Sequence, residues 1–358
     1  MRLATFTAPG LAEPRVGVVD GDTVYPFAPG LSMRDVIDAG LPEAHRLARD
    51  ARTRETGRGL DEVRLLAPLR PASIRDSVAF EEHVEGVRRS VDGKSGVPDA
   101  WYDAPTFYFT NPHAVLGPDE EALFPATCAV RDFELEVAVV LGRAGRSLTE
   151  EQARQAIFGY TIMNDWSARD LQSREMQVSL GPAKGKDFAT SLGPWIVTAD
   201  ELDRYRDSDG FLDLDCAATV NGAEIGRDVL SNAGWTFESM IAYASRDSGV
   251  VPGDVIGSGT VGNGGCLGEL WGRRGEQDPP PLRPGDVVTL TVEGIGALSG
   301  RIGVADPAPP LSPVRRRDYP ALPRGGGMGR APAPRPGAGP PPGAAGARAQ
   351  PPPRRKAG

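Results

Sequence analysis

Two glutamates in the stretch 133–141 carry the first chemical signal of this sequence. The residues FELEVAVVL are rich in Val and predict a buried strand, and Glu134 and Glu136 lie two positions apart on it. Side chains two apart on a strand point to the same face, so both carboxylates face one space. No basic residue lies on this strand to balance them. The pair predicts either a divalent-metal site or, alternatively, a solvated strand face with alternating glutamates.

A second group of polar residues follows the apolar segment 160–163. Asp165, Arg169 and Gln172 lie within eight residues of one another there. Hard divalent ions such as Mg²⁺ prefer oxygen ligands, and a third carboxylate from Asp165 would complete a site that keeps positions open for a substrate. We therefore expect the two stretches to meet in the fold.

The stretch 74–90 contains one of the three histidines and predicts a helix. His83 lies seven residues after Asp76, which is two helical turns, so a continuous helix would place both on one face. Two alternatives remain open at this point. Asp76 would serve as the N-cap of the helix, and His83 would have a structural or exposed position rather than a catalytic one.

Two further segments are rich in glycine. The loop 179–191 offers Lys186 and Thr190 as cation and hydroxyl donors, although a solvated loop lysine is the alternative. The run 257–268 lacks the Gly-Lys-Ser/Thr ending of a phosphate-binding loop. It predicts instead a close approach of the backbone to a ligand beside Glu269.

The elements that must position these residues are mostly strands. The chain has 358 residues with 45 Gly and 34 Pro, which favours a turn-rich α+β protein over a helical bundle. Hairpins are predicted at Asp20-Gly21 and Asn221-Gly222. Helices are predicted at 33–39, capped by Ser32 and ended by Gly40, at 149–157 and at 235–246, and strands at 282–293 and 294–304.

Charge and cysteine content exclude several classes of protein. The net charge is −8, but ten Lys and Arg residues and a single acid follow residue 314. Residues 1–314, the body of the chain, are therefore strongly acidic. Nucleic acid is not the expected partner of such a body. The three scattered cysteines match no zinc spacing and predict reduced thiols. The first residues lack an apolar signal segment and no stretch is long enough to span a bilayer, so we expect a cytoplasmic protein.

The segment 307–358 is dominated by Pro, Gly, Ala and Arg. Such a composition buries too little apolar area to offset its conformational entropy, so we expect a disordered tail. Its positive charge either keeps it solvated or binds an acidic partner.

Several motifs, taken together and in this order, resemble the fumarylacetoacetate hydrolase family over about residues 70–305. They are Asp76 with His83, Tyr108, Glu134-Leu-Glu136, the run 163–170, Gly185-Lys186, Thr190, the run 257–260 and Glu269. The resemblance implies a mixed β-sheet roll or sandwich as the catalytic domain, at 71–306, and a small β-rich N-terminal domain at 1–70. It also implies a homodimer.

The same resemblance implies roles for individual residues. A divalent ion, Mg²⁺ before Ca²⁺ or Mn²⁺, would be bound by Asp76, Glu134, Glu136 and Asp165, with Lys186 and Thr190 nearby. His83 and Glu269 would activate water, and Lys186 and Arg169 would stabilise negative charge. Substrate oxygens would be bound by Tyr108, Arg169, Gln172 and Thr260. The chain departs from the family pattern at Ser77-Val78, where aromatic residues are expected, and at Asp92, where an arginine is expected.

The implied reaction is hydrolytic cleavage of a carbon–carbon bond in a 1,3-diketone or acylpyruvate-type acid, a small oxo acid. Two alternatives remain. The first is a decarboxylase, hydratase or isomerase of 2-oxo acids that uses the same metal. The second is a metal-stabilised binding protein without catalytic activity.

Overall fold

The structure is a computed structural model that describes residues 1–317, apart from the side chain of Asp92. These residues contain twenty-one strands. They are β1 (Arg2–Thr7), β2 (Arg15–Asp20), β3 (Thr23–Pro26), β4 (Arg58–Gly59), β5 (Arg64–Leu66), β6 (Ile74–Ser77), β7 (Phe107–Thr110), β8 (Val115–Leu116), β9 (Glu121–Phe124), β10 (Arg131–Asp132), β11 (Leu135–Leu141), β12 (Gly145–Arg146), β13 (Ile157–Asp165), β14 (Ser167–Ala168), β15 (Thr190–Thr198), β16 (Asp215–Val220), β17 (Ala223–Val229), β18 (Gly249–Val250), β19 (Val255–Gly257), β20 (Val287–Val292) and β21 (Gly296–Val304).

Seven α-helices lie between the strands. They are α1 (Met33–Arg54), α2 (Glu81–Val87), α3 (Glu150–Ala156), α4 (Arg169–Met176), α5 (Ala199–Leu202), α6 (Phe237–Ser245) and α7 (Leu267–Arg274). A π-helical turn, Arg88–Asp92, continues α2, and short 3₁₀ turns occupy Leu60–Glu62, Asp99–Tyr102, Asp203–Tyr205 and Leu230–Asn232.

Two sheets organise the fold. The larger has twelve strands in the order β4-β3-β2-β1-β15-β13-β11-β19-β6-β7, with β5 beside β1 and β8 beside β15. The second has five strands in the order β17-β16-β20-β21-β9. Most pairs are antiparallel, while β19 with β6, β8 with β15 and β9 with β21 are parallel. This is the α+β, mostly β architecture with mixed sheets that the sequence predicts.

The central strands of the large sheet are buried on both faces. Every residue of β11, β13 and β15 is buried, because apolar clusters cover the sheet from both sides. Along β11 the side chains of Val137 and Val139 belong to one cluster, and those of Ala138 and Val140 to the other. The pleat assigns Glu136 to the face of Ala138. The carboxylates therefore lie at the end of an apolar face.

Most of the predicted elements are present. The hairpin β16–β17 turns at Asn221-Gly222 as predicted, whereas β2–β3 turns at Gly21-Asp22, one residue later than predicted, because Asp20 still pairs with Thr23. Ser32 caps α1 by accepting a hydrogen bond from the Asp35 N–H, and Gly40, with φ of +81°, interrupts the helix where the sequence predicts its end. The chain then resumes a helical path up to Arg54. Only glycine takes that φ without steric cost, so Gly40 sets the kink.

The predicted helix over 74–90 is wrong in its first half. Ile74–Ser77 form the strand β6, which pairs with β19 on one side and β7 on the other, and the helix begins only at Glu81. Hydrogen bonds to two neighbouring strands outweigh the local preference for helix. Asp76 is therefore not a helix N-cap, and its spacing from His83 does not represent two helical turns.

The predicted N-terminal domain contributes strands to the large sheet. Strands β1–β4 lie together at one end of it, where β1 pairs with β15. Residues Met1–Ala308 form one compact unit, so strands on both sides of residue 70 belong to one sheet. The division at residue 70 stays a prediction about folding units. Most of the predicted tail, from residue 318, lies outside the described residues.

Two further expectations concern thiols and membranes. Cys128, Cys216 and Cys266 are buried and unbonded to one another, as expected for reduced thiols. Within residues 1–317, no helix has both the length and the apolar character needed to cross a bilayer.

Candidate active site

Three buried carboxylates meet at the end of the apolar face of the large sheet. Oxygen atoms of Asp76, Glu134 and Glu136 all lie within 4.8 Å of one another. The three residues are at most 3% exposed, which excludes the alternative of a solvated strand face. The predicted metal ligands Asp76, Glu134 and Glu136 are therefore together in space.

Strand register and one glycine create the space for these side chains. Asp76 on β6 is opposite Gly257 on β19, and Gly257 is opposite Ala138 on β11. A Cβ atom at Gly257 would lie 2.5 Å from Asp76 Oδ1 and 2.7 Å from Glu136 Oε2. Any other residue at this position would displace the carboxylates. The glycine run predicts a backbone approach to a ligand beside Glu269, whereas Gly257 approaches the carboxylates of Asp76 and Glu136.

Several of these buried oxygens have no hydrogen-bond donor among the described residues. They are both carboxylate oxygens of Glu136, Asp76 Oδ1 and Asp165 Oδ1. Burial, followed by the charge of Asp165, raises the pKa of Asp76 to about 7. Burial and the charge of Asp76 raise the pKa of Glu136 well above its usual value. An unpaired buried carboxylate is costly, so the cluster fits a divalent cation with oxygen ligands.

Lys186 connects Asp165 to the cluster. Its Nζ lies 2.7 Å from Asp165 Oδ2 and also contacts Glu134 Oε2, and the Tyr108 hydroxyl donates to Asp165 Oδ2. Burial would lower the pKa of Lys186, but the charges of Asp165 and Glu134 raise it above its usual value. Lys186 is buried, so the alternative of a solvated loop lysine is wrong. Asp165 contacts Lys186 and is not one of the three carboxylates, Asp76, Glu134 and Glu136, whose oxygens lie within 4.8 Å of one another.

Arg169, the first residue of α4, is bound on several sides. Its Nε and Nη2 lie 2.9 and 2.7 Å from Asp132 Oδ2, its Nη2 lies 2.8 Å from Glu134 Oε1, and its Nη1 donates to Gln172 Oε1 at 3.1 Å. Burial raises the pKa of Glu134, but the charges of Lys186 and Arg169 outweigh it and hold that pKa below its usual value. Glu134 is thus ionised, and Arg169 fixes its orientation.

Asp132 is a site residue that the sequence analysis missed. Its carboxylate accepts the backbone N–H groups of Leu267 and Gly268, both at 2.8 Å, in addition to the Arg169 guanidinium. It therefore joins the first turn of α7 to Arg169. Its partners are distant in the sequence, so no local pattern could have indicated this role.

His83 lies between the carboxylate cluster and α7. Its Nε2 is 3.9 Å from Glu134 Oε1, and its Nδ1 is 3.6 Å from the Sγ of Cys266, another residue that the sequence analysis missed. Burial lowers the pKa of His83 to about 3, and the charges of Arg169 and Lys186 add to this effect against that of Glu134. The imidazole is therefore neutral at pH 7, and its burial makes it a weaker base than a free histidine.

Glu269 lies on α7, which packs against α2. A Cβ at Gly86, three residues after His83, would lie 2.6 Å from Glu269 Cγ. Glu269 Oε1 is 3.1 Å from Arg273 Nη2, and burial raises the pKa of the Glu269 carboxyl to about 7. Within residues 1–317, no hydrogen bond or ion pair joins Glu269 to His83, so their predicted pairing stays a prediction.

The two predicted threonines are also buried. Thr190 is the β15 residue opposite Asp165, and its N–H donates to the Ala114 carbonyl oxygen at 3.0 Å. The Thr260 hydroxyl is buried and has no hydrogen-bond partner in the described part of the chain. Its assignment to substrate stays a prediction.

Comparisons with known proteins agree with this fold. The sequence profile of the fumarylacetoacetate (FAA) hydrolase C-terminal domain matches residues 72–303. Protein Rv2993c of Mycobacterium tuberculosis is 31% identical over 255 residues, which are 69% of this chain and 82% of that protein. The oxaloacetate tautomerase YisK of Bacillus subtilis is 28% identical over 68% of this chain and 74% of its own length.

A solved structure extends the comparison to the whole body of the chain. The fumarylacetoacetate hydrolase of Exiguobacterium antarcticum has a TM-score of 0.66 and 26% identity, and the alignment covers 85% of this chain and 100% of that protein. The predicted mixed-sheet catalytic fold is therefore confirmed.

Proposed function

The chain belongs to the fumarylacetoacetate hydrolase family, and from that premise we propose that it hydrolyses a carbon–carbon bond in a small 1,3-diketone or acylpyruvate-type acid. The carrying observation is a buried, neutral His83 beside a carboxylate cluster in which Asp76 and Glu136 have oxygens without a hydrogen-bond donor among the described residues. A base next to a cation site is the arrangement that water activation requires.

Asp76, Glu134 and Glu136, together with Asp165, are proposed to bind a divalent ion, and Mg²⁺ is the first candidate. The unpartnered buried oxygens of Glu136 and the space left by Gly257 support this assignment. When bound, the ion would polarise the carbonyl oxygens of the substrate. Mn²⁺ and Ca²⁺ have the same ligand preference, and the metal requirement is to be measured.

His83 is proposed to take the proton from water as the water oxygen bonds to the acyl carbonyl carbon. The bond from that carbon to the adjacent methylene then breaks, its electron pair passes to the enolate of the oxo acid, and the enolate carbon takes a proton. The products are a carboxylic acid and the oxo acid. The ionised Glu134, 3.9 Å from the ring, would stabilise the imidazolium.

The remaining residues are proposed to bind and orient the reactants. Lys186 and Arg169 would balance the negative charge that develops, and Arg169 also holds Glu134. Tyr108, Gln172 and Thr260 would contact substrate oxygens. We propose Glu269 as the partner of His83. Glu269 on α7 packs against Gly86, which follows His83 by one turn of α2.

A second candidate function is tautomerisation, or more broadly decarboxylation, hydration or isomerisation of a 2-oxo acid at the same metal. The 28% identity to a protein named oxaloacetate tautomerase favours it. Such a reaction needs the carboxylates but no water-activating histidine. The third possibility, a binding protein without catalysis, predicts no turnover.

The test is turnover of a panel of acylpyruvates with Mg²⁺ or Mn²⁺, before and after EDTA, with products identified by mass. His83→Ala is expected to lose about 10²–10⁴-fold in kcat while it keeps its metal affinity. The control is His45→Ala, which removes a half-buried histidine of α1 that pairs with Asp200.

The pairing of His83 with Glu269 has its own signature. Glu269→Gln is expected to lose a similar factor, and the double variant is expected to be little worse than either single one, because two residues that act as a unit lose their effect together. If the loss in kcat of the double variant equals the product of the two single losses, His83 and Glu269 act independently. Normal hydrolysis by His83→Ala would replace the hydrolase proposal with the tautomerase class.

A further inference from the structure

A small cavity lies beside His83, and its lining includes neither Cys266 nor a residue of α7. Its volume is about 280 Å³, and its lining includes Val78, His83, Val87, Arg88, Pro98 and Trp101. Most of these side chains are apolar. The cavity is therefore a preformed space for a hydrophobic group next to the proposed base.

The lining residues Val78 and Thr106 lie just beyond the ends of the paired strands β6 and β7, which carry Asp76 and Tyr108. His83 borders both spaces, since its Nε2 lies 3.9 Å from Glu134. A ligand bound at the carboxylates is thus able to extend past His83 into the cavity.

The cavity walls are held in place by packing and hydrogen bonds. Trp101 is buried, and its Nε1 donates to the Val78 carbonyl oxygen at 2.5 Å. Arg88 is the one cation among the lining residues, and its Nη1 donates to the carbonyl oxygens of Ser95 and Gly96. That nitrogen of Arg88 is therefore engaged with backbone rather than directed at a ligand.

We propose that this cavity binds an apolar acyl group, so that the substrate is an acylpyruvate-type acid whose acyl end is a hydrocarbon chain rather than a second carboxylate. The inference rests on the proposed function for the oxo-acid end of the molecule. The apolar end is determined by the valines, Trp101 and Pro98. Each methylene buried there strengthens binding about fourfold. A carboxylate in the same place loses its hydration, and the Nη1 of Arg88, the one cation in the wall, is already bonded to backbone carbonyl oxygens.

The test measures binding as well as turnover, with the full chain and Mg²⁺. The probes are pyruvate, 2-oxooctanoate and 2-oxooctanedioate, none of which contains a 1,3-diketone that could be hydrolysed. Calorimetry is expected to give 2-oxooctanoate an affinity about 10-fold or more above both other probes. The corresponding acylpyruvates, with the same acyl ends, are expected to follow the same order in kcat/KM.

A charge placed in the wall tests the location. Val87 is half-buried at the cavity, and Val87→Lys is expected to reverse the order, with the dioate bound more tightly than the octanoate. The matched control is Val251→Lys, at a valine that is 43% exposed and does not line the cavity, and it is expected to keep the original order.

The outcomes separate the two proposals. If no acylpyruvate is cleaved but 2-oxooctanoate binds best and Val87→Lys reverses the order, the reaction proposal fails and the apolar subsite stands. If the three probes bind equally, or the dioate binds best to the unmodified chain, the apolar subsite is wrong whatever the turnover. If Val87→Lys leaves the order of the three affinities unchanged, the apolar end of the ligand does not bind in this cavity.

Discussion

At the scale of single residues, the candidate site contains more buried carboxylates than cations to pair with them. Two cations, Lys186 and Arg169, face four buried carboxylates of the proposed site and Asp132 beneath them. Glu134 forms ion pairs with both cations, and Glu136 forms an ion pair with neither of them within the described residues. Glu136 is therefore the residue whose burial most needs a bound ion.

Glu136→Gln is expected to abolish tight Mg²⁺ or Mn²⁺ binding, because one charged ligand is lost, while the metal-free fold is retained or stabilised, because the amide does not repel Asp76. Calorimetric titration and melting temperature in EDTA measure the two effects. The control is Glu224→Gln at an exposed position. Unchanged metal affinity in the Glu136 variant would refute the ligand assignment.

Glu269 predicts a pH dependence of stability. Its folded-state pKa is raised to about 7 by burial, above the usual 4.5 of a glutamate. Below pH 4.5 the carboxyl is neutral in both states and costs nothing. As the pH rises towards 7, the unfolded state loses its proton first, so the folded state is progressively destabilised, by on the order of 3 kcal/mol above pH 7.

Glu269→Gln removes this titration, so its melting temperature is expected to exceed that of the parent by more at pH 8 than at pH 5. The control Glu276→Gln alters an exposed carboxylate and should show the same difference at both values. A gap that narrows as the pH rises would contradict the assigned direction.

At the scale of elements, the contact of α2 with α7 determines how His83 meets the α7 residues. A Cβ at Gly272 on α7 would lie only 1.8 Å from the carbonyl oxygen of Gly86 on α2. The two helices approach closely because both residues are glycines. Asp132 fixes the other end of α7 through the N–H groups of Leu267 and Gly268.

Gly272→Ala is therefore expected to force the helices apart, at a cost of about 1–3 kcal/mol in the free energy of unfolding, and to reduce turnover by displacing Cys266 and Glu269 from His83. Denaturant unfolding and kcat are the measurements. Gly249→Ala is the matched control, because nothing lies within 4 Å of a Cβ at that position. Equal stability of the two variants would show that the helix contact is loose.

At the scale of the molecule, the strands that carry the site belong to a unit, Met1–Ala308, that contains both large sheets. The last strand, β21, pairs with β9, and the Ala305 N–H donates to the Phe124 carbonyl oxygen at 2.8 Å. Hydrogen bonding of that unit thus extends to residue 305. The homodimer and the cytoplasmic location implied at the outset stay predictions.

Deleting the residues after Val314 is expected to leave melting temperature and turnover unaltered, because a Pro-, Gly- and Arg-rich segment buries little apolar area. Thermal unfolding and acylpyruvate turnover of the two chains are the comparison. A fall of several degrees would show that the segment stabilises the body, and the boundary at residue 307 would then be wrong.

The sequence by itself was sufficient for the residues with strong local signals. Alternation over residues 133–141 predicted that Glu134 and Glu136 share a face, although β11 begins only at Leu135. The capping of α1 by Ser32 and the turn at Asn221-Gly222 followed from short-range chemistry. Family resemblance then predicted Asp76, His83, Lys186 and Glu269 as residues of one site. These features depend on residues that are neighbours in the chain, or on family motifs that are recognised even though they lie far apart in the sequence.

The tertiary structure alone decided the features that depend on distant partners. The sequence around Asp76 predicts a helix, yet two strands from elsewhere in the chain supply its hydrogen bonds and make it β6. Asp132 and Cys266 became site residues only when α7 packed against the carboxylates. Long-range pairing and close packing outweigh local preference, because the backbone groups and carboxylates must find their partners wherever the fold brings them.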